Sequence, residues 1–303
     1  MKNCSTRRRA LISREGGASM KLFEVVSKRK LNDNMTWLVI YAPLVARKAR
    51  PGQFIILRTD EYGERIPLTM AGHNEENGTI DLIYAAVGRT TMLMDQLEVG
   101  DCFADIVGPL GKPTHMEGLK KVCVVGGGTG NALAYPLATG MHAAGIEVDM
   151  IAGFKNKDLV ILEEEFRAGT DNLYMVTDDG SYGEKAFTTD KLKELIAAGN
   201  QYDEIIAVGP PIMMKFVCQI AAENNIPSVA SLTAYMIDGT GMCGGCRCNI
   251  GGEDKFVCVD GPEFDGALVD WDELIQRNTF YATQEADERA HVCRLTGGVR
   301  YHD

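Results

Sequence analysis

Between Lys121 and Leu232 the chain alternates short apolar runs with helix-length amphipathic stretches, and few folds accommodate that pattern. The apolar runs are Lys121–Val125, Glu147–Ile151, Leu173–Thr177, Glu204–Val208 and Pro227–Leu232. Helical patterns fall between them, at Asn131–Ala138, from Lys157 into the acidic Glu163–Glu165, at Asp190–Ala198 and at Ile212–Glu223. Such alternation predicts βαβ units and a parallel sheet, whose ligands bind at the carboxyl ends of the strands. The first strand ends in Gly126, Gly127, Gly128, Thr129 and Gly130. Residues without a Cβ let a pyrophosphate approach the backbone at the start of the following helix. The turn is not a strict G-x-G-x-x-G; its weight comes from its place after the first strand. Two further strand ends carry Asp178-Asp179-Gly180-Ser181 and Gly209-Pro210-Pro211. Pro136 predicts a helix start delayed to about Tyr135, because an interior proline removes a backbone hydrogen bond.

Upstream the period changes. Candidate strands at 21–29, 35–43, 53–60, 66–72, 79–87 and 102–108 are separated by turns such as Arg50-Pro51-Gly52-Gln53 and Glu75-Glu76-Asn77-Gly78. Six short strands of this kind predict a small antiparallel barrel. Its one helical piece is expected at Met92–Leu97, led in by Gly88-Arg89-Thr90-Thr91. Arg89 and the N–H groups of that helix start suit a phosphate; an ordinary capped helix fits the same residues. The predicted domains are 20–117, a β-barrel; 118–235, an α/β domain; and 236–303, a cysteine-bearing region with an acidic tail. Residues 1–19 are basic and unpatterned and are expected to be a disordered extension or the product of a start codon placed too early.

Downstream of the last strand, four of the nine cysteines crowd into sixteen residues. Asp238, Cys243, Cys246 and Cys258 stand in the order D-x4-C-x2-C-x11-C, with glycine filling much of the loop. A plant-type [2Fe–2S] centre uses C-x4-C-x2-C and one distant cysteine, so this is that spacing with an oxygen ligand in the first slot. Glycine lets the chain wrap a metal centre and aim N–H groups at ligand sulfurs. Zinc held by three thiolates and a carboxylate, or buried or redox-active thiols, are the alternatives open to a C-x2-C pair. Cys248, two residues after Cys246, is read as a non-ligand. His291 and Cys293 in the tail are read as part of a docked or mobile terminus.

A formal net charge of -11 disfavours nucleic acid as a partner. No apolar run reaches the length of a membrane span, and the N-terminus has no signal-peptide core. Clustered cysteines without such a signal do not describe a secreted disulfide framework, so the expected compartment is cytoplasmic.

Taken together, these motifs resemble the flavin- and iron–sulfur-containing electron-transfer subunits of the ferredoxin–NADP reductase-like family. That group includes the electron-transfer subunit of dihydroorotate dehydrogenase and the small subunit of the electron-bifurcating NADH-dependent ferredoxin:NADP oxidoreductases. The resemblance covers roughly residues 20–280. It implies a fold of β-barrel plus α/β: an antiparallel FAD-binding barrel, a parallel-sheet dinucleotide-binding domain and a C-terminal [2Fe–2S] loop. Arg65-Ile66-Pro67-Leu68-Thr69 resembles the FAD-binding strand, with Arg65 toward the pyrophosphate and Thr69 beside the isoalloxazine. Gly88, Arg89, Thr90 and Thr91 resemble the turn that holds the FAD phosphates. Gly126–Gly130 and Gly209-Pro210-Pro211 resemble the two nicotinamide-nucleotide loops, and Asp178-Asp179-Gly180-Ser181-Tyr182-Gly183 is a stretch typical of the family. Val208 stands where relatives often carry cysteine, and Leu133 where a proline is common.

In the dihydroorotate dehydrogenase subunits all four cluster ligands are cysteine. Asp238 in the first slot, followed by Asp260-Gly261-Pro262-Glu263-Phe264-Asp265, is closer to the bifurcating group. The resemblance implies electron transfer between NAD(H), FAD and a [2Fe–2S] cluster within a transhydrogenase. It implies a larger partner subunit with a second flavin and [4Fe–4S] clusters, and ferredoxin reached through that partner. Service to dihydroorotate dehydrogenase or another dehydrogenase is the alternative within the family; a structural or regulatory protein with a zinc loop is the alternative outside it. Lys155 and Lys157 after the second strand suit either a 2′-phosphate or solvent, so NAD(H) rests on the resemblance.

Overall fold

The computed structural model describes residues 20–287. The expectations for residues 1–19 and for His291 and Cys293 lie outside them. Two compact units form, one from residues 20–49, 54–110 and 284–287, the other from 50–53 and 111–283.

The first unit is a six-stranded antiparallel sheet of β1 (Val25–Lys30), β2 (Met35–Tyr41), β3 (Phe54–Arg58), β4 (Ile66–Asn74), β5 (Thr79–Ala85) and β6 (Asp105–Leu110). Their order across the sheet is β1-β2-β5-β4-β3-β6. Period-two alternation drives β2 and β5: Leu38, Ile40, Ile80 and Leu82 are fully buried in one cluster with Ile55, Met94 and Phe103. Burial of each such side chain contributes about 1.5–3 kcal/mol. Between β4 and β5, Gly78 takes the left-handed conformation that the predicted hairpin turn requires, φ 65°. Residues just before β6 pair elsewhere: Val25 donates its N–H to Asp101 at 2.8 Å and Phe103 donates to Phe23 at 3.0 Å. That is why β6 begins at Asp105 and not at 102.

Two short helices lie among residues 20–110 of this unit, against the one expected there. The additional helix is α1 (Pro43–Ala46), opened by proline at its first position, where a missing N–H costs nothing. The predicted helix is α2 (Arg89–Met94), three residues earlier than its expected start. Thr91 causes the shift: its hydroxyl accepts the N–H groups of Val87 and Gly88 at 3.1 and 3.0 Å, which closes the first turn at Gly88.

The second unit holds the predicted parallel sheet. Its strands are β7 (Lys121–Gly127), β8 (Glu147–Phe154), β9 (Asn172–Thr177), β10 (Glu184–Lys185), β11 (Glu204–Val208) and β12 (Ser228–Ser231). Between and after them run α3 (Asn131–Ala143), α4 (Glu163–Gly169), α5 (Thr188–Ala197) and α6 (Pro211–Glu223). The hairpin β13 (Arg247–Ile250) and β14 (Glu253–Phe256), then α7 (Val257–Asp260), β15 (Glu263–Asp265) and α8 (Trp271–Asn278), complete the unit. Strand order is β10-β9-β8-β7-β11-β12-β15, with β15 antiparallel to β12. Val122, Val124, Val125, Val148, Met150 and Ile151 are fully buried, as expected of strands covered on both faces.

The delayed start expected for α3 does not occur. The helix begins at Asn131 and carries Pro136 inside it, with the ring buried. Tertiary anchoring decides the start: the Asn131 carboxamide bonds to the carbonyls of Gly128 and Gly153. That anchor and the burial of the ring offset the hydrogen bond that Pro136 cannot donate. No described helix is long and apolar enough to cross a membrane.

Strand β15 carries a titratable contact. Thr114 donates its hydroxyl to the Glu263 carboxyl at 2.7 Å, and a Cβ on Gly52 would meet both groups, at 2.2 and 2.9 Å. Burial pushes the Glu263 carboxyl up to about 7; the Thr114 hydrogen bond lowers it and the Glu204 carboxylate raises it. The unfolded chain releases this proton near the ordinary value of 4.5. Across the window from there to about 7 the folded state binds more protons, so stability falls as pH rises. Glu263→Gln keeps an acceptor for Thr114 and removes the titration. We expect it to melt with the parent at pH 4, below that window, and about 2–4 °C above it at pH 8, for a gain on the order of 1 kcal/mol. The same difference at both pH values would show that Glu263 does not titrate in that window.

Candidate functional site

Strands β8 and β9 lie on one side of β7, and β11 and β12 on the other. The sheet order therefore reverses between β7 and β11, and crevices at such switch points take ligands. The turns at these two strand ends are the two expected nucleotide loops, and they touch. A Cβ on Gly130 would lie 2.5 Å from the Val208 carbonyl and 2.6 Å from Gly209 Cα; one on Gly127 would lie 2.3 Å from Met213 Sδ. Glycine at these positions is what lets the turns meet. Gly128, at φ 55°, has nothing within 4 Å of its Cβ position, so the crest of the turn is open. Thr129 lies in the same tight turn, and Pro210 and Pro211 open α6.

Asp178 and Asp179 follow β9 at the same edge of the sheet, and both are exposed. Partial burial and the Asp179 charge push the Asp178 carboxyl up, with Lys155 opposing. The Ser181 hydroxyl and N–H hold Asp179 down, at 2.6 and 2.9 Å. Ser181 also accepts the N–H of Lys157 at 2.8 Å, so the segments after β8 and β9 form one surface.

In the first unit Arg65, Ile66, Pro67, Leu68 and Thr69 run through the start of β4, all half-buried. Arg65 pairs with Asp105 at 3.3 Å. The turn Gly88–Thr91 is brought to this strand by Thr90, which donates to the carboxylate of Glu64 at 3.0 Å. Thr91 is occupied in capping α2, as described above. Arg89 is exposed.

The cysteine loop connects β12 to β13. Gly239, Gly241 and Gly244 take φ of 75°, 82° and 69°, which bends the chain around Asp238. The Asp238 carboxylate accepts the N–H groups of Thr240, Met242 and Cys243 at 3.2, 3.0 and 3.1 Å, and the Cys243 thiol at 3.3 Å. Desolvation pushes this carboxyl up, but these hydrogen bonds outweigh it and hold it at about 2. Cys246 and Cys258 form a second contact, the Cys258 N–H pointing at the Cys246 sulfur at 3.5 Å. Burial pushes the Cys258 thiol up to about 12, helped by its contact with Cys246, while the Gly241 N–H lowers it. Cys243 is exposed; Cys246 and Cys258 are buried. The four predicted donors thus form two pairs, and among the described residues no three His, Cys, Asp or Glu side chains converge on one ion. Cys248 stands apart, buried in β13, its thiol donating to the Lys255 carbonyl at 3.7 Å across the hairpin.

Three features escaped the sequence reading. Asn131 stands in the sequence only as the first residue of a helical stretch and proves to be a fully buried bridge. Glu64 precedes the recognised strand motif and gives no signal of its own. A recess of about 260 Å³ beside the cysteine loop is lined by Tyr235, Ile237, Arg247, Leu274, Arg277 and Phe280; the amphipathic pattern of α8 is the one trace of it in the sequence.

Comparison with known proteins places this architecture. The family model for the iron–sulfur cluster binding domain of dihydroorotate dehydrogenase B matches residues 233–270. A Thermotoga maritima protein described as a homolog of the dihydroorotate dehydrogenase B (NAD(+)) electron transfer subunit is 44% identical over 270 residues, 89% of this chain and 94% of its own. A Clostridium beijerinckii protein, described as an uncharacterized protein in the adh 3′ region, is 48% identical over 279 residues, again 89% and 94%. A chain from the structure of the NADH-dependent reduced ferredoxin-NADP oxidoreductase, studied for flavin-based electron bifurcation, superposes with a TM-score of 0.85 at 42% identity, covering 91% of this chain and 99% of that one. This chain belongs to the family of dihydroorotate dehydrogenase B electron-transfer subunits and their homologs, which share the ferredoxin–NADP reductase-like fold.

Proposed function

We infer that this chain is the electron-transfer flavoprotein subunit of a flavin-based, electron-bifurcating NADH/NADPH/ferredoxin transhydrogenase, passing electrons between NAD(H), FAD and a [2Fe–2S] cluster. The observation that carries this reading is the pairing of Asp238 with Cys243 and of Cys246 with Cys258. Two pairs of donors suit two irons with two protein ligands each, whereas one zinc ion needs four donors around a single point. The backbone N–H groups of Cys258 and Gly241, directed at sulfur, are the outer-shell donors such a cluster uses. Similarity to the oxidoreductase chain over nearly its whole length supports the choice of complex.

FAD fits Arg65, Pro67, Leu68 and Thr69 on the strand and Gly88, Arg89, Thr90 and Thr91 at the turn. Arg65 supplies charge for a pyrophosphate, and the Thr90–Glu64 contact fixes the turn beside the strand. NAD(H) fits Gly126, Gly127, Gly128, Thr129 and Gly130 with Gly209, Pro210 and Pro211. Asp178 and Asp179 favour a free ribose hydroxyl nearby, since two carboxylates repel a 2′-phosphate. Bound flavin supplies the exchange between two-electron nicotinamide chemistry and one-electron transfer. A larger subunit with its own flavin and [4Fe–4S] clusters, through which ferredoxin is reached, completes the complex. Matching of residues 233–270 to the dihydroorotate dehydrogenase B domain favours a second reading, service to that dehydrogenase. Co-purification with a partner carrying two dinucleotide folds selects the first.

Asp238 supplies the direct test. Thiolate and carboxylate are both monoanions, so Asp238→Cys keeps the formal charge but exchanges a hard ligand for a soft one. We expect the parent to carry FAD and about two irons per chain, and Asp238→Cys to keep both with a shifted cluster potential in redox titration. Parent protein without iron or flavin would overturn the reading. An unchanged potential would remove Asp238 from the ligand set.

A further inference from the structure

Asn131 is fully buried, and the amide of its side chain makes two bonds. Its Nδ2 donates to the Gly128 carbonyl and to the Gly153 carbonyl, each at 3.0 Å. Gly128 lies in the turn after β7, and Gly153 is next to last in the adjacent β8. The other end of the side chain is spent on nothing: Oδ1 is buried without a hydrogen-bond partner. It sits where a Cβ on Gly126 would come within 2.2 Å. Exchange of oxygen and nitrogen would set the oxygen against two carbonyls, so the amide has one sensible orientation.

Two donors on one planar nitrogen are what the chain uses here, and an unpaired buried acceptor is what it tolerates to have them. A buried orphan acceptor of this kind calls for a reason. Carbonyl oxygens carry negative partial charge. At the ends of two neighbouring parallel strands, beside an open glycine turn, outward carbonyls would repel an anion. Bonded to a buried amide, both are turned inward. Leucine, of similar size, has no donor and the smaller serine has one; aspartate has none at neutral pH and would add charge.

We propose that Asn131 is a positioning residue for the dinucleotide, holding the Gly128 and Gly153 carbonyls away from the pyrophosphate so that the Gly126–Gly130 turn can receive it. The proposal rests on the assignment of that turn to NAD(H). It gives Asn131 no contact with the nucleotide: it acts through the turn.

The test is calorimetric titration of the oxidised, FAD-loaded full chain with NAD⁺ and, separately, with ADP-ribose, which keeps the pyrophosphate and lacks nicotinamide. Asn131→Leu is expected to raise both dissociation constants by about tenfold or more, with flavin and iron content unchanged. Asn131→Ser, with one donor, is expected to fall between parent and Leu variant; it decides the question by itself if the Leu variant does not fold. Parent-like affinity in a folded variant would overturn the proposal, as would a loss confined to NAD⁺, which places the defect at the nicotinamide. Loss of flavin in step with loss of affinity would overturn it too, because a general structural role predicts that. Failure of the parent to bind either ligand would instead remove the nucleotide assignment, and this proposal with it.

Discussion

If the proposed cluster is held as inferred above, Cys243→Ser is expected to lose most of its iron while leaving the fold in place. The residue is exposed, so the exchange of sulfur for oxygen removes no packed core atom. Its thiol lies 3.3 Å from Asp238, the other member of its pair, and that pair loses its sulfur donor. Loss of a mere outer-shell partner costs metal sites about 10–100-fold in affinity, and loss of a ligand costs at least that. Cys248 offers no rescue. It is buried, bonded to the Lys255 carbonyl and held in the register Cys248↔Lys255 of the β13–β14 hairpin. Cys248→Ser therefore serves as the control and should keep its iron. Colorimetric iron, visible absorbance and circular dichroism on both variants check the result. Stoichiometric iron in Cys243→Ser, with the visible bands intact, would sink the cluster assignment.

Where sequence and structure agree, a local physical signal was strong. The runs at 121–125 and 204–208 are apolar without alternation, as strands covered on both faces must be, and they became β7 and β11 with the predicted first residues. The turn at Gly78 was legible because only a residue without a Cβ adopts that φ freely. Misreadings arose where a contact distant in sequence overrode the local signal. Pro136 argued for a late helix start, but Asn131 reaches Gly153, 22 residues away, and fixes the start upstream. Residues 102–104 read as the beginning of a strand, but Phe23 and Val25 claim that segment. Spacing singled out the four proposed donors of the cysteine loop. It could not say that they would stand as two pairs, because the backbone path through Gly239, Gly241 and Gly244 decides that. The meeting of the two glycine-bearing turns was similarly out of reach until the strand order was known.

Asp149→Ala is expected to destabilise the second unit strongly. The sequence shows only an acidic residue inside an apolar strand. In the structure Asp149 is fully buried toward the amino end of β8, away from the glycine turns at the carboxyl ends of the strands. Both its oxygens are used: Oδ1 accepts from Asn172 at 2.7 Å and Oδ2 from the Tyr202 hydroxyl at 2.7 Å. Lys121 lies 3.6 Å away, itself bound to Glu147 at 2.8 Å. Burial, then the nearby Cys123 and Asp149, push the Tyr202 hydroxyl far up, so it remains a donor at any ordinary pH. Removal of the carboxylate leaves that hydroxyl and the Asn172 amide without an acceptor and opens a small cavity. Breaking a buried charged network from one side costs about 3–5 kcal/mol. In a unit of this size that is a fall in melting temperature of roughly 10 °C. Asp149→Asn keeps the volume and one acceptor and should lose about half as much. Because the network lies toward the amino ends of the strands, NAD⁺ affinity measured well below the melting point should match the parent in both variants. This separates a residue that holds the sheet, Asp149, from the positioning role proposed for Asn131. Thermal melts of the Ala variant within about 1 °C of the parent would overturn this expectation, because the Tyr202 hydroxyl and the Asn172 amide would then not be left unpaired at a cost.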